Sequence, residues 1–254
     1  MAKDLFNLDI EEMQKAGVQT GHRVSKLHPR MKPFLSGTRN GVHNIDLNKT
    51  AEKFSEALKF VQDLIVEGKN ILVVGTKVPI RAMVKESAEA CGLPYVNERW
   101  LGGSFTNFET ILKRVSRFKD LVKQKEIGDL EKYTKKEKMK IEKEIEALAT
   151  KFGGIKDMSK LPDAVFILDM RKDGFAAKEA KKKGIKIIAV CDTNIDPILI
   201  DYIIPANDDS MSATKYIIQQ LAKVVISAKA DFAAKTSSIV KASADAKALS
   251  DKAK

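Results

Sequence analysis

Asn97-Glu98-Arg99-Trp100-Leu101-Gly102-Gly103-Ser104-Phe105-Thr106-Asn107-Phe108 marks a change of character in the chain. Before it, short apolar runs alternate with amphipathic helical patterns. After it comes a long helical stretch rich in lysine and glutamate, and then the alternation resumes. It holds the only tryptophan, beside an arginine and a glycine pair. Gly102-Gly103 allows a tight turn or a positive φ, and Ser104 or Thr106 can cap a following helix. The stretch is therefore expected to join a compact α/β body to an inserted arm.

The arm reads as a helical hairpin over residues 104–152. Phe108, Ile111, Val115, Phe118 and Val122 recur in steps of three and four, the seam of a coiled coil. Ile141, Ile145, Leu148 and Phe152 repeat that seam. Between them Gly128 permits a turn, and Thr134 with Glu137 has the spacing of a capping box. Two such helices pack antiparallel, with Lys113, Arg114, Arg117, Lys135, Lys136 and Lys138 on their outer faces. Charged helix faces serve solvation as readily as binding.

On either side of the arm, residues 41–103 and 153–230 carry the signs of the body. Gly41–Leu47 reads as a first strand that ends in a helix cap. Ala51, Phe54, Leu58, Val61 and Ile65 then recur at helical spacing until Gly68. Ile71-Leu72-Val73-Val74 is apolar throughout, as in a strand buried on both faces. Pro79 stands where a helix can begin and Gly92 where it ends; Pro94-Tyr95-Val96 gives the next strand. Beyond Gly153-Gly154, strands are expected at Ala164–Leu168, Ile187–Val190 and Tyr202–Pro205. Helices are expected at Ala176–Lys183 and from about Ser210 to Ala230. Strands alternating with helices predict an α/β fold with a doubly wound parallel sheet. Residues 231–254 lack a sustained apolar stripe and are expected to form a frayed or disordered tail.

Composition bounds the function. With 254 residues and 44% hydrophobic content, the chain can bury one large or two modest cores. No apolar run approaches the ~18 residues of a membrane span. Asp4, Asp9, Glu11 and Glu12 argue against an ordinary signal peptide, and Cys91 and Cys191 suit reduced cytosolic thiols. The net charge of +11 is localised. Lys15 to Lys53 holds eight Lys and Arg against two acids, and Lys113 to Lys151 thirteen against eight, which accounts for the whole excess. Such concentration points to a polyanion, most simply nucleic acid. The segment His22–Arg39 matches no regular element. It spaces Arg23, Lys26, Arg30, Lys32 and Arg39 among His22, His28, Pro29, Pro33 and Phe34. Cations set along an extended chain can follow a phosphate backbone; a solvated loop is the plainer alternative.

Catalytic chemistry finds little support. Gly75-Thr76-Lys77 follows a strand but lacks the further glycines of a dinucleotide loop and the length of a P-loop. Asp169, Asp192, Asp196, Asp208 and Asp209 lie at strand ends, where carboxylates can bind Mg²⁺ but more simply cap helices and close turns. His22, His28 and His43 have no Cys-x-x-Cys pair to complete a zinc site. No catalytic residue, cofactor, metal or small-molecule substrate is predicted. The competing readings are an α/β enzyme or nucleotide-binding protein with a coiled-coil arm, and a free-standing nucleic-acid-binding module.

Arg99-Trp100-Leu101-Gly102-Gly103 with Thr106-Asn107 resembles the signature of the bacterial small-subunit ribosomal protein S-two family. Further stretches match in order: Ala16-Gly17-Val18 through Gly21-His22, Pro29-Arg30-Met31-Lys32-Pro33-Phe34, Val73–Lys77, Gly153–Met158, Asp192-Thr193-Asn194 with Asp196-Pro197, and Ile204–Asp209. The likeness runs from about residue 9 to 228. It implies a Rossmann-like α/β body with a protruding helical hairpin. It also implies a non-catalytic, cytoplasmic constituent of the small ribosomal subunit at the head–body junction. The implied partners are small-subunit rRNA and other small-subunit proteins, including the large, flexible protein S-one. Candidate RNA contacts are Arg23, Lys26, Arg30, Lys32, Arg39, Arg99, Lys113, Arg114 and Arg117, with Trp100 anchoring the arm in the core. The family often has an aromatic residue before the Pro29 position, where this chain has Leu27-His28, and the Lys/Ala tail departs from the common ending.

Overall fold

The computed structural model describes residue 6, residues 8–129 and residues 133–251, with residues 234–251 as backbone alone. After a short helix α1 (Ile10–Ala16), strands β1 (Thr20–Arg23), β2 (Leu35–Arg39) and β3 (Val42–Ile45) form a small antiparallel sheet in the order β1-β3-β2. The segment His22–Arg39 is therefore ordered, in contrast to the irregular chain expected. Between β1 and β2 it makes two 3₁₀ turns, Val24–Lys26 and Pro29–Phe34. Met31, fully buried in the second of them, ties it to the body core. The strand expected at Gly41–Leu47 does form, but in this small sheet. Its alternation of half-buried and buried residues is that of a strand with one open face.

Asp46 caps α2 (Leu47–Val66) by accepting from the Asn48 N–H at 3.0 Å, as the sequence predicts. Then come β4 (Ile71–Val74), α3 (Arg81–Cys91) and β5 (Tyr95–Val96). The arm supplies α4 (Phe108–Glu126) and α5 (Lys135–Phe152); β6 (Ala164–Ile167), α6 (Met170–Lys183), β7 (Lys186–Cys191) and β8 (Tyr202–Pro205) follow. The five later strands form one parallel sheet in the order β5-β4-β6-β7-β8. Their apolar runs are buried on both faces. Ile71, Val73, Phe166 and Ile188 face a core shared with α1, α2, α3 and the last helix, α7 (Met211–Asp251). Leu72, Val74, Val165 and Ile187 face the other core, built with α6, Trp100 and the root of the arm. This is a Rossmann-like α/β body. Both cysteines are free and buried, and no helix among the described residues is long and apolar enough to cross a membrane.

Three further expectations change. Helix α6 begins at Met170 rather than Ala176, because Asp169 caps it. Helix α7 continues to Asp251, so the backbone is helical where a frayed or disordered tail is expected; alanine and lysine are strong helix formers. Residues 252–254 of that tail lie outside the described residues. In the arm, Leu121 rather than Val122 completes the buried series after Ile111, Val115 and Phe118. A straight helix turns 3.6 residues at a time, and a 3-4 seam drifts off its stripe.

Candidate nucleic-acid interface

The joint is held by a residue that sequence reading does not single out. Glu179 of α6 accepts backbone N–H bonds from Gly103 at 2.8 Å, Phe105 at 3.0 Å and Thr106 at 3.1 Å. It also accepts from the Thr106 hydroxyl at 3.1 Å and the Trp100 indole at 3.3 Å. Partial burial pushes its carboxyl up, but these donors outweigh that and hold it below the usual glutamate range. Trp100 is 8% exposed and packs edge-on against Phe105, ring centroids 4.8 Å apart. Gly103 supplies the positive φ of 91°. Ser104 and Thr106 do not cap α4: the cap position is Asn107, and the two hydroxyls bond Leu101 and Glu179 instead. Arg99 is exposed beside this anchored loop. Nothing in the pattern of the lysine-rich α6 marks Glu179 except its lone acid within a basic run.

The basic N-terminal segment is stapled to the loop after β7. His28 donates its backbone N–H to the Thr193 carbonyl at 2.9 Å, and the Thr193 hydroxyl accepts from the His22 N–H at 3.0 Å. The His22 ring lies between Asp192, 3.0 Å from Nδ1, and Asp209, 3.4 Å from Nε2. Arg30 grips both oxygens of Asp196, at 2.8 and 3.0 Å, and this hydrogen bond holds the Asp196 carboxyl below its ordinary range. The histidines thus sit apart: His22 and His28 face different aspartates, and His43 is buried in the small sheet.

The candidate cations fall into two regions. Arg23 and Arg39 both pair in register with Val42, one on each side, so they share one rung and one face of the small sheet. Lys26 and Lys32 are exposed on the two 3₁₀ turns. Arg30 is committed to Asp196. On the arm, Lys113 and Arg114 are exposed, whereas Arg117 faces Glu144 of α5 at 3.6 Å. The capping box at Thr134 and Glu137 is formed as predicted.

The crevice at the carboxyl ends of β4 and β6, where the sheet order reverses and α/β proteins hold ligands, is filled by the chain itself. Lys77 reaches into it, with its ammonium 3.4 Å from Asp169, 3.8 Å from Asp208 and 2.6 Å from Asp209. Asp173, at a kink in α6, accepts from the Thr76 N–H and hydroxyl at 3.0 and 2.7 Å. Asp169 also caps α6 and Asp196 caps the 3₁₀ turn Pro197–Leu199, so two of the strand-end acids do the capping expected of them. Burial, then the Asp169 and Asp192 carboxylates, push Asp208 up to about 7. So acidic a crevice repels phosphate. The nucleotide-binding alternative has no cradle here, and the open cations lie elsewhere.

Residues 13–228 match the family model described as ribosomal protein S2. The chain is 44% identical over 217 residues to the small ribosomal subunit protein uS2 of Coprothermobacter proteolyticus, covering 85% of this chain and 81% of that protein.

Proposed function

This chain belongs to the ribosomal protein S2 family, and from that membership we propose that it is held in the small ribosomal subunit by cations that neutralise rRNA phosphates. The family is one of structural ribosomal proteins, not enzymes. The observation that carries the RNA reading is the segregation of charge. The sheet crevice is acidic and self-filled, while exposed cations cluster on the small sheet, on its 3₁₀ turns and at the arm. Arg23, Lys26, Lys32 and Arg39 contact phosphates along the ordered N-terminal segment. Arg99, Lys113 and Arg114 do so around the base of the arm, while Arg30 and Arg117, held by internal carboxylates, contribute less, since a phosphate must first displace the acid. Helices α4 and α5 act together as an antiparallel coiled-coil hairpin projecting toward neighbouring proteins. The resemblance to the family extends the role to the head–body junction and to support for docking of protein S-one.

Sedimentation of a lysate through a magnesium-containing gradient tests this reading. Stoichiometric co-migration with small subunits, lost on washing with high salt, is the expected result. A protein that stays at the top of the gradient at low ionic strength overturns it.

A further inference from the structure

Three depressions lie side by side at the root of the arm, neighbours sharing lining residues. One of about 510 Å³ lies between the end of α3 and the chain beyond α5, and is flanked by Lys156 and Lys160. The second, about 310 Å³, shares Tyr95 and Gly154 with it and is lined by Lys85 of α3, Arg99 of the joint and Lys151 of α5. The third, about 340 Å³, shares Lys151 and adds Arg114 of α4. Gly154 makes the crossing: a Cβ there would lie 2.2 Å from the Tyr95 carbonyl oxygen. The returning chain thus presses onto edge strand β5 and leaves open ground on both sides.

The charges along this track are unequal in their freedom. Its acids are engaged: Glu98 by Arg81, Asp157 by Lys119 at 3.8 Å, and Glu89 by the Tyr95 hydroxyl at 2.7 Å. None of Lys85, Arg99, Arg114, Lys151, Lys156 and Lys160 is in an ion pair among the described residues. Like charges raised from separate elements onto one concave path repel one another, and a polyanion laid along the path relieves that repulsion. An acidic peptide would want an apolar anchor pocket for affinity, whereas a phosphate backbone asks only for accessible cations at intervals.

We propose that this track, from Lys160 past Lys151 to Arg114, is a binding site for the sugar–phosphate backbone of structured RNA at the root of the arm. The inference rests on the reading that the chain binds rRNA and deepens it, joining Lys85, Lys151, Lys156 and Lys160 to the arginines at the base of the arm as one site. The test titrates protein-free small-subunit rRNA with the full chain over a range of salt concentrations. The Lys85→Gln/Arg99→Gln/Lys151→Gln variant alters exposed side chains only. Its slope of log K against log salt is expected to be shallower than wild type by about 2, at ~0.7 to 0.9 per lost phosphate contact. Lys182→Gln/Lys183→Gln/Lys223→Gln, which removes the same charge elsewhere, is expected to leave the slope in place. Acetylation of Lys85 and Lys151 in the unaltered protein, protected by rRNA, is the expected result that needs no substitution. Wild-type protein that ignores rRNA overturns the functional reading itself. A root variant with an unchanged slope, together with Lys85 and Lys151 of the wild type left unprotected by rRNA while Arg23→Gln/Arg39→Gln still weakens binding, overturns this site alone. So does a root variant that keeps rRNA but loses affinity for the small-subunit proteins, which would make the track an acidic-protein surface.

Discussion

Two acids, one half-buried and one buried, show how single side chains set the local frame. Glu179 gathers three backbone N–H groups of the joint, so Glu179→Ala leaves them without an acceptor and is expected to cost about 3 kcal/mol. Glu179→Gln keeps an acceptor oxygen and should cost less. Trp100, the only tryptophan, lies in the same contact, so its fluorescence during urea unfolding reports both variants. Because the Glu179 carboxyl is held below its ordinary value, its contribution is present above about pH 4.5 and fades as the pH falls further. Trp100→Ala itself should cost roughly 3–5 kcal/mol, given its burial; a loss under ~1 kcal/mol would remove its anchoring role. Asp208 works with the opposite sign. Its folded value of about 7 lies above the unfolded one, so its contribution is complete near pH 4 and lost as the pH climbs through 7. Asp208→Asn abolishes that dependence. The stability of the variant relative to wild type is expected to rise by on the order of 3 kcal/mol between about pH 4 and pH 8. A difference that stays flat would mean that Lys77 neutralises the crevice fully.

Among the elements, helix α4 keeps part of its expected apolar stripe with a local shift, whereas in α5 only Phe152 of the expected seam is buried. Ile111, Val115 and Phe118 are buried as their spacing implies, while Leu121 takes the next place. It lies between the ion pairs Arg117–Glu144 and Lys125–Glu142 that link α4 to α5. Leu121→Ala should loosen this pair by about 2–4 kcal/mol. Hydrogen exchange is expected to quicken across α4 and α5 while the amides of β4 and β6 stay protected, since the two units share few side chains beyond the root. Equal acceleration in the sheet would show that the arm is part of the global core. The parallel strands were legible because a run such as Ile71-Leu72-Val73-Val74 has no polar face to offer water. Of the small sheet only β3 was legible, because β2 is mostly exposed and β1 at most half-buried, and neither carries an alternation. Their order comes from backbone pairing with β3 and from one buried methionine, neither of which leaves a period in sequence.

Across the whole molecule, charge is sorted by what the fold leaves free. The sequence located the basic excess in two regions, and the structure keeps both at the surface. What composition could not reveal is which cations are already spoken for. Arg30 and Asp196 stand 166 residues apart, and Arg117 meets Glu144 only because α4 and α5 pack together. Nor could a linear reading see that Lys77 fills the sheet crevice with its own aspartates and so closes the usual ligand site of this fold. The two kinds of arginine make a final test. Arg39 has no carboxylate partner among the described residues, so Arg39→Gln should lower the salt slope of rRNA binding by ~0.7 to 0.9. For Arg30, phosphate must displace Asp196, and the net gain from the exchange is small. Arg30→Gln is therefore expected to change the slope by less than Arg39→Gln and to lower stability little, as for an exposed ion pair. Asp196→Asn frees the guanidinium and should tighten rRNA binding at low salt. If Arg30→Gln instead reduced the slope as much as Arg39→Gln, the staple to Asp196 would have to open whenever RNA binds. The N-terminal segment would then be a clamp that rearranges on the partner rather than a rigid edge presented to it.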